Sequence, residues 1–171
     1  MIIFETKRHI EIDETFQGIN LTEFHFKAEP NIDNDQIVNT FIGSSAFTYD
    51  SLLDSVKRQK EPCWYRAFNF DKIRITDFKK YSNEETTKFL IDLLNEPDWA
   101  DDRIEFSNLL DKYFEIHAQL TSNDFYVISK DWFDVNDERL IELSWVYAYY
   151  FLIISIDRKS NLLTFTEWIY D

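Results

Sequence analysis

The sequence predicts a single α+β domain over residues 1–171, a mainly antiparallel sheet with about four helices and a C-terminal β-hairpin. Three observations carry that expectation. Apolar alternation marks strands at both ends of the chain, 3.6-residue periodicity marks helices between them, and a short polar turn joins the last two strand signals. Hydrophobic residues make up 44% of the chain, and it holds 16 Phe, 9 Tyr and 5 Trp, enough to fill a core of substantial size.

The opening Met1–Asp13 reads as strand through Ile2, Phe4, Ile10 and Ile12. Ile19–Lys27 ends in the alternating Phe24-His25-Phe26-Lys27 and reads as a second. Asp33–Ile42 places Ile37, Val38, Phe41 and Ile42 at helical spacing, with Gly43 as a stop. Asp50–Gln59 reads as a short helix through Leu52, Leu53 and Val56. Cys63–Phe70 alternates, with Trp64, Arg66, Phe68 and Phe70 on one face, and Ile73 and Ile75 suggest a further strand. Ser82-Asn83-Glu84-Glu85 has the spacing of a capping box, and Phe89, Leu90, Leu93 and Leu94 form the stripe behind it. Asp101–Leu120 repeats Phe106, Leu109, Leu110, Tyr113, Phe114, His117 and Leu120 on one helical face.

Asp124–Lys130 is a short apolar strand, Asp131–Asp137 a loop, and Asp137–Leu143 a helical turn. Trp145–Ile156 is apolar on both faces and predicts a central strand covered on both sides. Asp157–Asn161 is the polar turn, and Leu162–Tyr170 returns as strand.

Composition excludes several functions. Two glycines, Gly18 and Gly43, stand apart and cannot form a phosphate-cradling loop. A lone Cys63 excludes an internal disulfide and any multi-cysteine zinc site. No apolar run approaches the ~20 residues of a membrane helix. The N-terminal residues lack the pattern of a signal peptide. The expected location is therefore cytoplasmic.

The net charge is −14. Residues 1–80 hold 13 acids and 11 bases, whereas residues 81–171 hold 19 acids and 7 bases. Such a field repels nucleic acid and anionic lipid and attracts basic protein surfaces. Neither partner of the first two kinds is expected.

Residues 131–138 gather Asp131, Asp134, Asp137 and Glu138. Carboxylates at this density suit a hard cation, but the spacing is not that of an EF-hand, and capping by Asp134 or Asp137 accounts for them. No metal and no cofactor is expected. His9, His25 and His117 lie far apart, and no catalytic set emerges. The partner-binding candidates are the four acids together with Tyr147, Tyr149 and Trp168, aromatics with the character of interface anchors.

The acidic, aromatic-rich chain, with Tyr149-Tyr150-Phe151-Leu152-Ile153-Ile154 and the ending Phe165-Thr166-Glu167-Trp168-Ile169-Tyr170-Asp171, resembles in type the immunity proteins of bacterial toxin–immunity systems. That resemblance implies a non-enzymatic inhibitor that covers a basic cognate toxin, such as a nuclease, with an acidic surface. The alternatives are a small carboxylate- and metal-dependent hydrolase or nuclease, and a mimic of DNA charge.

Overall fold

The computed structural model describes residues 2–48, 66–96, 102–117 and 124–170. Six strands form one antiparallel sheet: β1 (Ile3–Asp13), β2 (Gln17–Lys27), β3 (Lys79–Tyr81), β4 (Phe125–Ser129), β5 (Tyr149–Asp157) and β6 (Leu162–Tyr170). Their spatial order is β1-β2-β6-β5-β4-β3. Four α-helices lie among the described residues: α1 (Asn34–Ile42), α2 (Ser45–Thr48), α3 (Asn83–Leu94) and α4 (Arg103–His117). The α+β expectation holds, as does the C-terminal hairpin, in which β5 pairs with β6 from Asp157–Leu162 to Tyr149–Tyr170. The turn between them places Asn161 at φ 52°, a left-handed conformation that Asn tolerates better than most residues.

The sheet is covered on both faces. On the first, Ile37, Val38 and Phe41 of α1 and Phe47 of α2 pack over Tyr150, Leu152, Ile154 and Phe165. On the second, Leu90 of α3 and Phe106, Leu110 and Tyr113 of α4 pack over Ile19, Phe151, Ile153 and Trp168. Every residue of β5 is buried, as a strand apolar on both sides must be.

β1 shows how one residue can switch faces. Ile2, Phe4, Ile10 and Ile12 share one parity, so strict alternation would put all four on one side. The register slips between Thr6 and Arg8. Phe4 consequently packs in the first core and Ile10 and Ile12 in the second. The bulge lets one edge strand serve both layers.

Helix ends follow the sequence signals. The Ser82 hydroxyl accepts the Glu85 N–H at 3.1 Å and the Glu85 carboxylate accepts the Ser82 N–H at 2.7 Å. Asp33 and Gln36 make the same reciprocal pair at the start of α1.

Four expectations differ. Residues 66–70 form no strand: Phe68 makes only an isolated bridge to Leu140, and Ile75–Asp77 is a 3-10 turn rather than a strand. Asp137–Leu143 makes tight turns and no helix. β5 starts at Tyr149, four residues late, because Trp145 belongs to a 3-10 turn at Ser144–Val146. The helix expected at 50–59, Cys63, Trp64 and the last residues of the 101–120 helix lie outside the described residues.

Candidate acidic docking site

The connection from β4 to β5, residues 130–148, carries the acidic quartet. β4 and β5 hand it out at one end of the sheet, past the last cross-strand pair Ser129–Phe151. Two short turns give it shape. Phe133 N–H returns to the Lys130 carbonyl at 3.1 Å, and Tyr147 N–H to the Ser144 carbonyl at 3.3 Å. Ala148 N–H then joins the sheet by donating to the Tyr170 carbonyl at 2.8 Å.

The four acids do not share one role. Asp137 takes Arg139 Nε at 2.8 Å, Nη2 at 2.6 Å and the Arg139 N–H at 2.9 Å. The guanidinium beside it holds its carboxyl down at about 2. Arg139 also reaches Asp77 at 2.7 Å and lies over the Phe133 ring at 4.3 Å. Arg139 is thus the clasp that folds the connection onto the 75–77 turn, and Asp137 holds its guanidinium in place. Asp134 accepts the Asn136 N–H at 3.0 Å and organises a tight turn, while still pointing to solvent. Asp131 is exposed and pairs with Lys130 at 2.7 Å. Glu138 is exposed and stands 3.6 Å from Lys72. Exposed pairs of this kind are worth ~0–1 kcal/mol, so these acids remain available to another charge. Neither Asp134 nor Asp137 caps an α-helix; each caps a turn.

The three aromatic candidates are core residues, and this corrects their expected place at an interface. Tyr147 is buried in the first core, with its ring 5.3 Å from Tyr150. Tyr149 lies in the second, and its hydroxyl donates to Gln17 Oε1 at 2.8 Å. The two were expected on one strand face. The 3-10 turn puts Tyr147 before the strand begins, so they lie in opposite layers. Trp168 is fully buried, stacked on Phe151 at 5.3 Å with Phe106 and Tyr113 beside it. Helices cover the sheet face that carries Tyr149 and Trp168.

The aromatic that does face solvent is Trp145, 71% exposed on the same connection as the acids. Val146 next to it and Val135 earlier on the same connection are exposed as well. The apolar run hid Trp145, because it continues without a break from Trp145 into the strand. Hairpin arithmetic would have found it: nine return residues, Leu162–Tyr170, pair back only as far as Tyr149.

A concave region of about 430 Å³ lies between α1 and β3. Lys80 there pairs with Asp35 at 2.8 Å and Asp124 at 3.4 Å, and the Tyr126 hydroxyl donates to Asp35 at 2.5 Å. Lys80 and Tyr126 hold the Asp35 carboxyl below its usual range. The groove's charges already satisfy one another.

Among the described residues no three His, Cys, Asp or Glu side chains converge as a metal site. No described helix is long and apolar enough to cross a membrane. Comparison with protein-family models, with curated proteins and with solved structures finds no match.

Proposed function

We propose that this protein is a non-enzymatic binding protein that captures a basic partner through the β4–β5 connection, in the manner of an immunity protein that neutralises a toxin. One observation carries the reading: Asp131, Asp134 and Glu138 stand in solvent on the same short connection that exposes Trp145. An indole and carboxylates exposed on one connection have the composition of an interface centre with a polar rim. The field supplies encounter rate and the ring supplies residence time. An acidic chain in the cytoplasm of a toxin-producing cell would meet a basic nuclease in this way.

The test is kinetic, with a basic toxin domain as partner. Asp131→Asn, Asp134→Asn and Glu138→Gln together should slow association about tenfold in low salt and flatten its salt dependence. Trp145→Ser should raise the dissociation rate instead. Wild-type association by the triple variant in low salt would reduce this surface to a solubilising one.

A further inference from the structure

We infer that the docking surface continues across the end of the sheet to the β1–β2 turn, where Phe16 and Ile104 form a second apolar anchor for the same basic partner. This inference rests on the reading of the β4–β5 connection given above. Gln17, Tyr170 and Tyr149 pair in one row across β2, β6 and β5. Phe16 immediately precedes that row on β2, and Trp145 precedes it by four residues on β5. Two strand spacings separate the two exits, roughly 10 Å. A standard interface takes ~800 Å² from each partner, a patch roughly 28 Å across, which spans both.

Phe16 is 54% exposed and Ile104 is 69% exposed. They are neighbours through Glu105, whose carboxylate accepts the N–H groups of Thr15 at 3.3 Å and Phe16 at 3.1 Å. Further ties hold the turn. Glu14 N–H donates to the Gln17 carbonyl at 2.8 Å, Gln17 Nε2 donates to the Asp102 carbonyl at 2.8 Å, and Lys112 pairs with Glu14 at 3.2 Å. These bonds explain why the turn is fixed on the start of α4. They use backbone and polar groups, and would form with any residue but proline at position 16. They leave an aromatic ring held in water on a preorganised turn, which a partner can cover at little entropic cost.

Charge selects the occupant. Asp13, Glu14, Asp102 and Glu105 outnumber Arg103 and Lys112 around this turn, so it has the sign of the connection beside it. One basic surface with an apolar centre complements both.

The experiment uses the full chain and, as probe, a 14-residue amphipathic peptide of leucine and lysine, with its leucine–glutamate counterpart as control. Amide chemical shifts should move at residues 14–16 and 104–105 together with 131–146, and only with the lysine peptide. Phe16→Ser combined with Ile104→Ser should weaken binding about tenfold, the loss expected of an anchor, with the melting temperature unchanged. Shifts confined to 131–146, or wild-type affinity in the double variant, would overturn the extended surface and leave the function proposed for the connection standing. No shift in either region would overturn both. An equal response to the glutamate peptide would show general apolar adhesion and overturn the assignment to a basic partner.

Discussion

His117 ends α4 inside the second core, its ring 4.9 Å from Phe125 and 5.4 Å from Tyr113. Neither ring nitrogen has a hydrogen-bond partner among the described residues. Burial disfavours the imidazolium and lowers the pKa. The folded chain therefore holds His117 neutral while the unfolded chain protonates it near pH 6.5. Stability is fully present above that pH and declines as the pH falls below it, since the unfolded state then binds the extra proton. The urea midpoint should drop as the pH falls below about 6.5 in the wild type, and less in His117→Phe. Equal slopes in the two proteins would show that His117 does not titrate in this way.

Arg66 and Glu167 present the opposite case. Arg66 Nε lies 3.1 Å from Glu167 Oε1, Nη2 donates to Oε2 at 3.2 Å, and both residues are buried. Glu167→Ala should lower stability in urea unfolding, because it removes a carboxylate paired with a buried guanidinium. Arg66→Met with Glu167→Leu should recover much of that loss, since it removes the charge that needs a partner.

At the scale of elements, local chemistry decides ends and long-range pairing decides extents. The α3 start follows from Ser82 and Glu85 alone, and the structure places both hydrogen bonds there. Ser82→Ala should therefore cost ~1 kcal/mol, measurable by thermal melting, while Ser82→Asp should stay close to wild type. β5 behaves differently. Its apolar pattern runs on to Trp145, but a strand persists only where neighbours can accept its backbone bonds, and the last β6 rung is Tyr170. The 66–70 segment shows the same rule. It alternates like a strand, yet it finds only one bridge, in which Asn69 N–H donates to the Arg139 carbonyl and Ile141 N–H to the Ala67 carbonyl, and its large rings fill the first core from an irregular loop.

At the scale of the molecule, the acidic second half divides into structural and free carboxylates. Asp102 accepts the Tyr170 hydroxyl, Glu105 holds the β1–β2 turn, and Asp137 clasps Arg139. Glu142 is also exposed on the connection, and Asp131, Asp134 and Glu138 are the exposed members of the quartet. Neutralising those three should leave the melting temperature unchanged, because exposed charges contribute little to folding. Adding Asp137→Asn should lower it, because Arg139 then loses the carboxylate that orients its guanidinium toward Asp77. A melting temperature insensitive to the fourth substitution would show that Asp77 alone holds Arg139.

The sequence by itself determined the class of fold, the C-terminal hairpin, the capped helix, the central two-faced strand and the acid-rich connection. Each of these depends on neighbours within a few residues or on composition, and such neighbours are visible in one dimension. Only the tertiary structure decided which aromatics are inside. Tyr147, Tyr149 and Trp168 have the chemistry of interface residues and lie in the core, because α1, α3, α4 and the surrounding loops cover both faces of the sheet. Trp145 and Phe16 have the chemistry of core residues and stand in water, because each lies just beyond the last paired row at one end of the sheet. Burial is a property of what packs opposite a residue, and what packs opposite is set by contacts distant in the chain.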